Sequence, residues 1–209
     1  FSSIQKAFST GAFGLGRNRK LVPTRWSITA VDSTLSEHLL AQIKTFEPVD
    51  NFRVYESTSL NNRFVVILMP TFWRYEWIEA FFPNIVGDKL EIFGDYERFE
   101  RKTEYSAVGG CYYSARLAVA ELLGKEKKQA GVIVLREAYP GYIPLGVFNV
   151  RENMRRAMQL GCQQFETFDA AINYVASRLK LRMGTWLQHS TLFMEEFVQK
   201  KLSDFTRDK

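Results

Sequence analysis

The sequence predicts an α/β or α+β domain: a mixed sheet that contains a β-hairpin and is packed by several amphipathic helices. Three observations carry this. FRVYESTS and RFVVILMP, separated by Asn61 and Asn62, read as a hairpin, and the second is nearly continuous in apolar residues, which places it centrally in a sheet. AGVIVLREAYP reads as a further buried strand. Segments of helical period stand between and after these strands, and such alternation builds layered domains, while the hairpin excludes a purely parallel sheet. No internal repeat or low-complexity tract interrupts the order, so residues 1–190 are expected to form one domain and 191–209 a C-terminal helix and tail.

Taken in order, a glycine-spaced stretch (Gly11, Gly14, Gly16) leads into RNRKLVPTRWSITAVD, where Arg17, Arg19, Lys20 and Arg25 precede a short apolar run. Trp26 to Val31 is expected to be a buried strand, with Asp32 starting a helix. STLSEHLLAQIKTF then reads as that helix, with Thr34 and Glu37 as a capping box, an apolar stripe of Leu35, Leu39, Leu40, Ile43 and Phe46, and Pro48 as its end. The hairpin follows. TFWRYEWIEAFFPN is dense in aromatics, which belong to a core or an interface, and Arg74, Glu76 and Glu79 set among them are either paired or chemical. KLEIFGDYERFE alternates like an edge strand.

Gly109 to Leu123 is the strongest helix, with Gly124 expected to cap it and Lys125 to Lys128 placing cations at the negative end of its dipole. The Gly109–Gly110 pair has two readings: close helix packing, or backbone N–H groups open to an anion beside Arg116, Tyr112 and Tyr113. AGVIVLREAYP carries Arg136 and Glu137 at its carboxyl end, where ligands gather in sheets with helical crossovers. Asn149 and Glu152 are expected to cap the helix VRENMRRAMQL, closed by Gly161, and Thr167 to cap an amphipathic helix from Asp169 to Leu181.

With 209 residues, 46% of them hydrophobic, the chain is long enough to bury a core as one domain or a closely fused pair. No apolar run approaches the ~18 residues of a membrane span and no signal peptide is visible, so a soluble, cytoplasmic, nucleoid-associated protein is expected, with no membrane partner. Two cysteines, Cys111 and Cys162, and two histidines, His38 and His189, lie too scattered for a zinc site, and no metal site is expected. Twenty-eight Lys and Arg against 23 Asp and Glu give a net charge of +5, mildly basic and compatible with nucleic acid. At Arg17 to Trp26 glycines admit an anion, cations neutralise phosphate and Trp26 offers a stacking face, although the spacing is neither a P-loop nor a dinucleotide fingerprint.

LVPTRWSITAVD resembles the signature of the archaeal Nre family of DNA-repair proteins. Further similar stretches follow in order: Tyr55 to Trp73, GGCYYSARLAVAELL from Gly109, LREAYPGYIPLGVFNVRE from Leu135 and QKKLSDF at the C-terminus. The resemblance covers nearly the whole chain. It implies a DNA-repair role, and it places the chain, which opens on Phe1 with no methionine, in the C-terminal half of a longer protein.

The tail adds a specific partner. Gln199, Leu202 and Phe205 fit Q-x-x-L-x-x-F, the core of a PCNA sliding-clamp motif, in which one helical turn presents Leu202 and Phe205 as an apolar plug and Gln199 as a polar contact. Thr206 stands where a second aromatic is usual. The preferred reading is therefore a repair factor that binds DNA or a nucleotide through Arg17, Arg19, Lys20, Arg25, Trp26 and Arg116 and is recruited to PCNA by Gln199, Leu202 and Phe205. An alternative is a metal-dependent nuclease or nucleotide-processing hydrolase with Asp32, Glu76 and Glu137 as catalytic candidates, since two-metal sites need converging carboxylates. No short DxD pair and no nucleophile triad supports it, Glu79 and Glu152 read as a salt bridge and a cap, and no cofactor is indicated. A third reading is a non-catalytic protein-binding scaffold.

Overall fold

The structure, a computed structural model, describes residues 2–13 and 20–197. Its sheet grows from the hairpin of β1 (Phe52–Ser59) and β2 (Asn62–Met69). The chain reverses at Leu60 and Asn61, both with positive φ (49° and 57°), the two-residue turn whose twist matches that of the flanking strands. The expected hairpin is present, one residue earlier than the Asn61–Asn62 turn.

Four more strands complete a six-stranded sheet: β3 (Arg74–Phe81), β4 (Glu91–Glu97), β5 (Gly131–Ala138) and β6 (Cys162–Phe165), in the order β4-β3-β5-β2-β1-β6. Every neighbouring pair is antiparallel except β3 and β5, where Glu76 aligns with Ile133 and Ala80 with Glu137. The sheet is mixed, as predicted. The aromatic run becomes β3, and the alternating stretch becomes the edge strand β4.

Helices cover both faces, which explains why β2 and β5 read as continuous apolar runs. On one face Tyr55, Phe64, Val66, Leu68, Tyr75, Trp77, Val132 and Val134 pack against α2 (Thr24–Ile43), α3 (Gly110–Glu126) and α4 (Gly146–Gln159). On the other, Val54, Val65, Ile67, Ile78, Ala80, Ile133 and Leu135 meet α5 (Phe168–Arg178), α6 (Met183–His189) and the helical residues 191–197, which bury Leu192 and Phe193. α1 (Ser2–Ser9) lies against α2. Among the described residues no helix is long and apolar enough to cross a membrane.

Several local expectations are corrected. Trp26 to Val31 is not a strand but the first half of α2, which begins after Pro23; Thr34 and Glu37 therefore lie mid-helix and cap nothing. Gly124 is inside α3, facing Leu39 and Ile43 of α2, and the helix ends at Lys127 in the left-handed conformation. α4 starts at Gly146 after Leu145, so Asn149 is not its cap: it sits inside the helix and accepts from the Asn153 amide at 2.8 Å. Thr167 does cap α5, accepting from the Ala170 N–H. α1, β6 and α6 are short elements that the sequence reading did not single out.

Candidate nucleic-acid interface

α2 divides its residues between two tasks. Ile28, Val31, Leu40 and Ile43 go inward with the polar residues Ser27, Asp32 and Ser36, all of them buried, and Thr29 is buried as well. Trp26, Thr29, Ala30, Ser33, Thr34 and Glu37 recur at helical spacing on another face and line a cleft of about 610 Å³. The opposite wall is Arg101 and Tyr105, from the segment between β4 and α3, with Tyr113 of α3. Trp26 is 60% exposed and Tyr105 67%, while the Tyr105 and Tyr113 rings meet at 5.3 Å. The Arg101 guanidinium is held by Glu37 at 2.8 Å, although three quarters of its side chain faces solvent. Glu37 and Arg101 also line a second cleft of about 280 Å³ with Leu40, Ala41, Lys44 and Lys102, so the groove continues along α2.

Beneath the groove lies a paired polar layer. Arg116 of α3 donates to Glu97 at 2.7 Å and to Ser36 at 3.1 Å, and its guanidinium lies 5.2 Å from the Tyr113 ring centre. Glu97 also accepts from Tyr112 and from the Trp73 indole. Asp32, fully buried, accepts from Ser114 at 2.5 Å and from Arg151 at 2.6 Å, which ties α2 to α3 and α4. Burial raises the Asp32 pKa, opposed by Ser114 and Arg151. These three helices approach closely because residue 110 is glycine: a Cβ there would stand 2.5 Å from the Val147 Cγ1 and 2.6 Å from the Thr29 Oγ1. Close packing, rather than an open anion site, is what the structure shows at Gly110.

Two family models match in sequence order: that described as Archaeal Nre, N-terminal, over residues 1–86, and that described as Archaeal Nre, C-terminal, over residues 97–205. The chain belongs to the archaeal Nre family. DNA repair protein NreB of Archaeoglobus fulgidus is 44% identical over 195 residues, covering 91% of this chain and 49% of that protein. DNA repair protein NreA of Haloferax volcanii is 36% identical over 209 residues (97% of this chain, 49% of the relative), and NreA of A. fulgidus 38% identical over 180 (85% and 46%). The chain thus spans about half the length of the curated relatives it matches. No solved structure matches it. Both matched segments of this Nre chain build the cleft, α2 from the first and Arg101, Tyr105 and Tyr113 from the second.

The residues singled out in the sequence fall in different places. Lys20 and Arg25 are exposed, and Arg25 directly precedes the cleft-lining Trp26 in the chain. Arg17 and Arg19 lie outside the described residues, as do Gln199, Leu202 and Phe205. Arg116 is internal, committed to Glu97 and Ser36. Among the carboxylates, Asp32 is on the α2 side of the sheet, whereas Glu76 and Glu137 point to the α5 and α6 side, four residues apart along paired strands. Glu76 accepts from Ser190 and from the Thr191 and Leu192 N–H groups, capping helix 191–197, and burial raises its pKa against those bonds. Glu137 accepts from the Lys180 and Leu181 N–H groups, fixing the connection from α5 to α6. Glu79 pairs with Arg136 at 2.8 Å, and Glu152 bonds Arg151 and Arg155. The structure does not bring Asp32, Glu76 and Glu137 together, and among the described residues no group of three or more His, Cys, Asp or Glu is placed to hold a metal ion. Reasoning from sequence missed Arg101 and Tyr105; an aromatic residue alone in the polar stretch ERKTEYS was the available signal.

Proposed function

We propose that this Nre chain is the DNA-binding part of a DNA-repair protein, contacting DNA along the rim of the α2 cleft, and that its tail recruits it to the PCNA sliding clamp. The observation that carries the first part is an open aromatic cleft lined by the exposed Trp26, with the exposed Arg25 next to Trp26 in the chain and the exposed Lys20 five residues before Arg25. Cations beside a bare aromatic face suit a phosphate backbone and its bases together. The printed names of the relatives, DNA repair proteins NreA and NreB, support the same role. Support for the clamp comes from the Q-x-x-L-x-x-F pattern at Gln199, Leu202 and Phe205. A tether of this kind raises the local concentration of a weak DNA binder at its site of action.

The test is binding to fluorescent oligonucleotides across a salt series. Each cation that neutralises a phosphate contributes roughly 0.7 to 0.9 to the slope of log K against log salt, so Lys20→Ala with Arg25→Ala is expected to weaken binding and lower that slope by more than one. Unchanged affinity and slope would remove these residues from the interface. Substituting Gln199, Leu202 and Phe205 by alanine is expected to abolish co-elution with the clamp while DNA binding persists; retained co-elution defeats the clamp assignment.

A further inference from the structure

We propose that the α2 cleft is a slot for one unpaired nucleobase, carried on a single-stranded segment and stacked between Trp26 and Tyr105. This deepens the DNA-binding reading and rests on it.

The cost of leaving aromatic surface in water is the starting point. Trp73, Trp77 and Trp186 are at most 1% exposed, whereas Trp26 is 60% and Tyr105 67% exposed, and both border the same cavity. Between them the helix presents only Thr29, Ala30, Ser33 and Thr34, side chains too short to fill the space, so the volume of about 610 Å³ stays open along the helix face. That volume lies within the range of small-molecule sites and admits a planar heterocycle with its sugar.

The chemistry of the walls narrows the occupant. Three hydroxyl-bearing residues line the floor, and Arg101 is positioned by Glu37 at 2.8 Å with most of its guanidinium available to a keto oxygen or a phosphate. Lys20 and Arg25 are exposed, and Arg25 immediately precedes Trp26 in the chain. Flat aromatic faces, hydrogen-bonding groups at the edges and exposed cations are the combination that reads a splayed-out base. In duplex DNA the faces of the bases are already stacked, so the slot favours single strands, bulges and unpaired positions.

The experiment compares two fluorescent strands of equal length, one carrying bases and one an abasic backbone, bound by the intact protein and by Trp26→Ala and Ala30→Leu. Ala30 is exposed on α2, so leucine there fills the slot while the inward face of the helix is untouched. Stacking on one aromatic side chain supports a loss of between about fivefold and about a hundredfold on its removal. Both variants are expected to lose that much affinity for the base-bearing strand, to bind the abasic strand like the parent, and to keep the parent's melting temperature. Stacking is also expected to quench the long-wavelength part of the indole emission, which Trp26 contributes, only with the base-bearing strand. If the parent binds both strands equally tightly, with a salt slope still set by Lys20 and Arg25, the slot is refuted and the DNA-binding reading stands. If it binds neither, both fall.

Discussion

Asp32 is the carboxylate whose role is most sharply decided by stability. It is fully buried, and its two acidic oxygens are satisfied by Ser114 at 2.5 Å and Arg151 at 2.6 Å, with Arg151 itself only 1% exposed. Arg151→Met removes the cation and leaves a carboxylate in the interior with a single hydroxyl partner. Removing one member of such a pair costs about 3 to 5 kcal/mol, because the remaining charge is buried without the cation that was hydrogen-bonded to it. For a domain of this size each kcal/mol moves the melting temperature by about 2 to 4 °C, so a fall of roughly 6 to 20 °C is expected. Urea unfolding gives the free energy directly, with an unchanged m-value confirming that the native state is what moved. The double variant Asp32→Leu with Arg151→Met removes both charges, and it is expected to be more stable than Arg151→Met alone. A cost below about 1 kcal/mol for Arg151→Met would refute the structural role. So would an Asp32→Asn variant with parental stability and lost DNA binding, which would return this residue to function.

Gly110→Ala places a methyl group 2.5 Å from Val147 and 2.6 Å from Thr29, so overpacking is expected to cost about 1 to 3 kcal/mol in urea unfolding, with partial relief from a second change, Val147→Ala; a neutral Gly110→Ala would show that α2, α3 and α4 are not wedged at that point. Burial raises the Glu76 pKa above the ordinary 4.5, so the native state holds its proton longer than the unfolded chain does, and the stability of the parent relative to Glu76→Gln is expected to fall as pH rises from 4.5 through the raised value. Urea midpoints measured from pH 4 to 8 for both proteins check this, and a parent that gains on the variant with rising pH contradicts it. Trp26→Ala, at a position 60% exposed, is expected to change stability by less than about 0.5 kcal/mol while removing the red-shifted component of tryptophan emission; a large loss of stability would mean that Trp26 belongs to the core.

The sheet was legible because its strands obey simple rules. β2 and β5 are apolar throughout since helices cover both their faces, the hairpin reversal is marked by Asn61 in the left-handed region, and β4 alternates because one side of it is open. α5 was legible for the same reason, with Thr167 at its start and one buried stripe of Phe168, Ala171, Ile172 and Val175. α2 was legible only in its second half. Its first half turns Ser27 and Asp32 inward and Trp26 outward, which inverts the pattern that a periodicity argument relies upon. The cleft was half visible: Trp26 and its basic neighbours stand out along the chain, whereas Arg101 and Tyr105 come from an irregular stretch and reach the site only through the packing of α3 on α2.

That inversion in α2 is itself informative. A helix that serves only a core places apolar residues inward and polar ones outward, and its neighbours ask nothing more of it. Here every inward polar group has a partner: Ser27 donates to the Thr24 carbonyl, Asp32 accepts from Ser114 and Arg151, and Ser36 accepts from Arg116. The bonds of Asp32 and Ser36 orient α2, α3 and α4 with directional contacts that an apolar seam would not supply. The outward tryptophan has no such internal reason, since moving it to solvent forfeits the burial that the other three tryptophans enjoy. Departures from local pattern that are paired on the inside and bare on the outside mark the surface where a ligand, rather than the fold, sets the residue type. On that reasoning the face from Trp26 to Glu37 is the one we propose as the binding surface of this Nre chain, with the buried ion pairs of Asp32 with Arg151 and Glu97 with Arg116 beneath it.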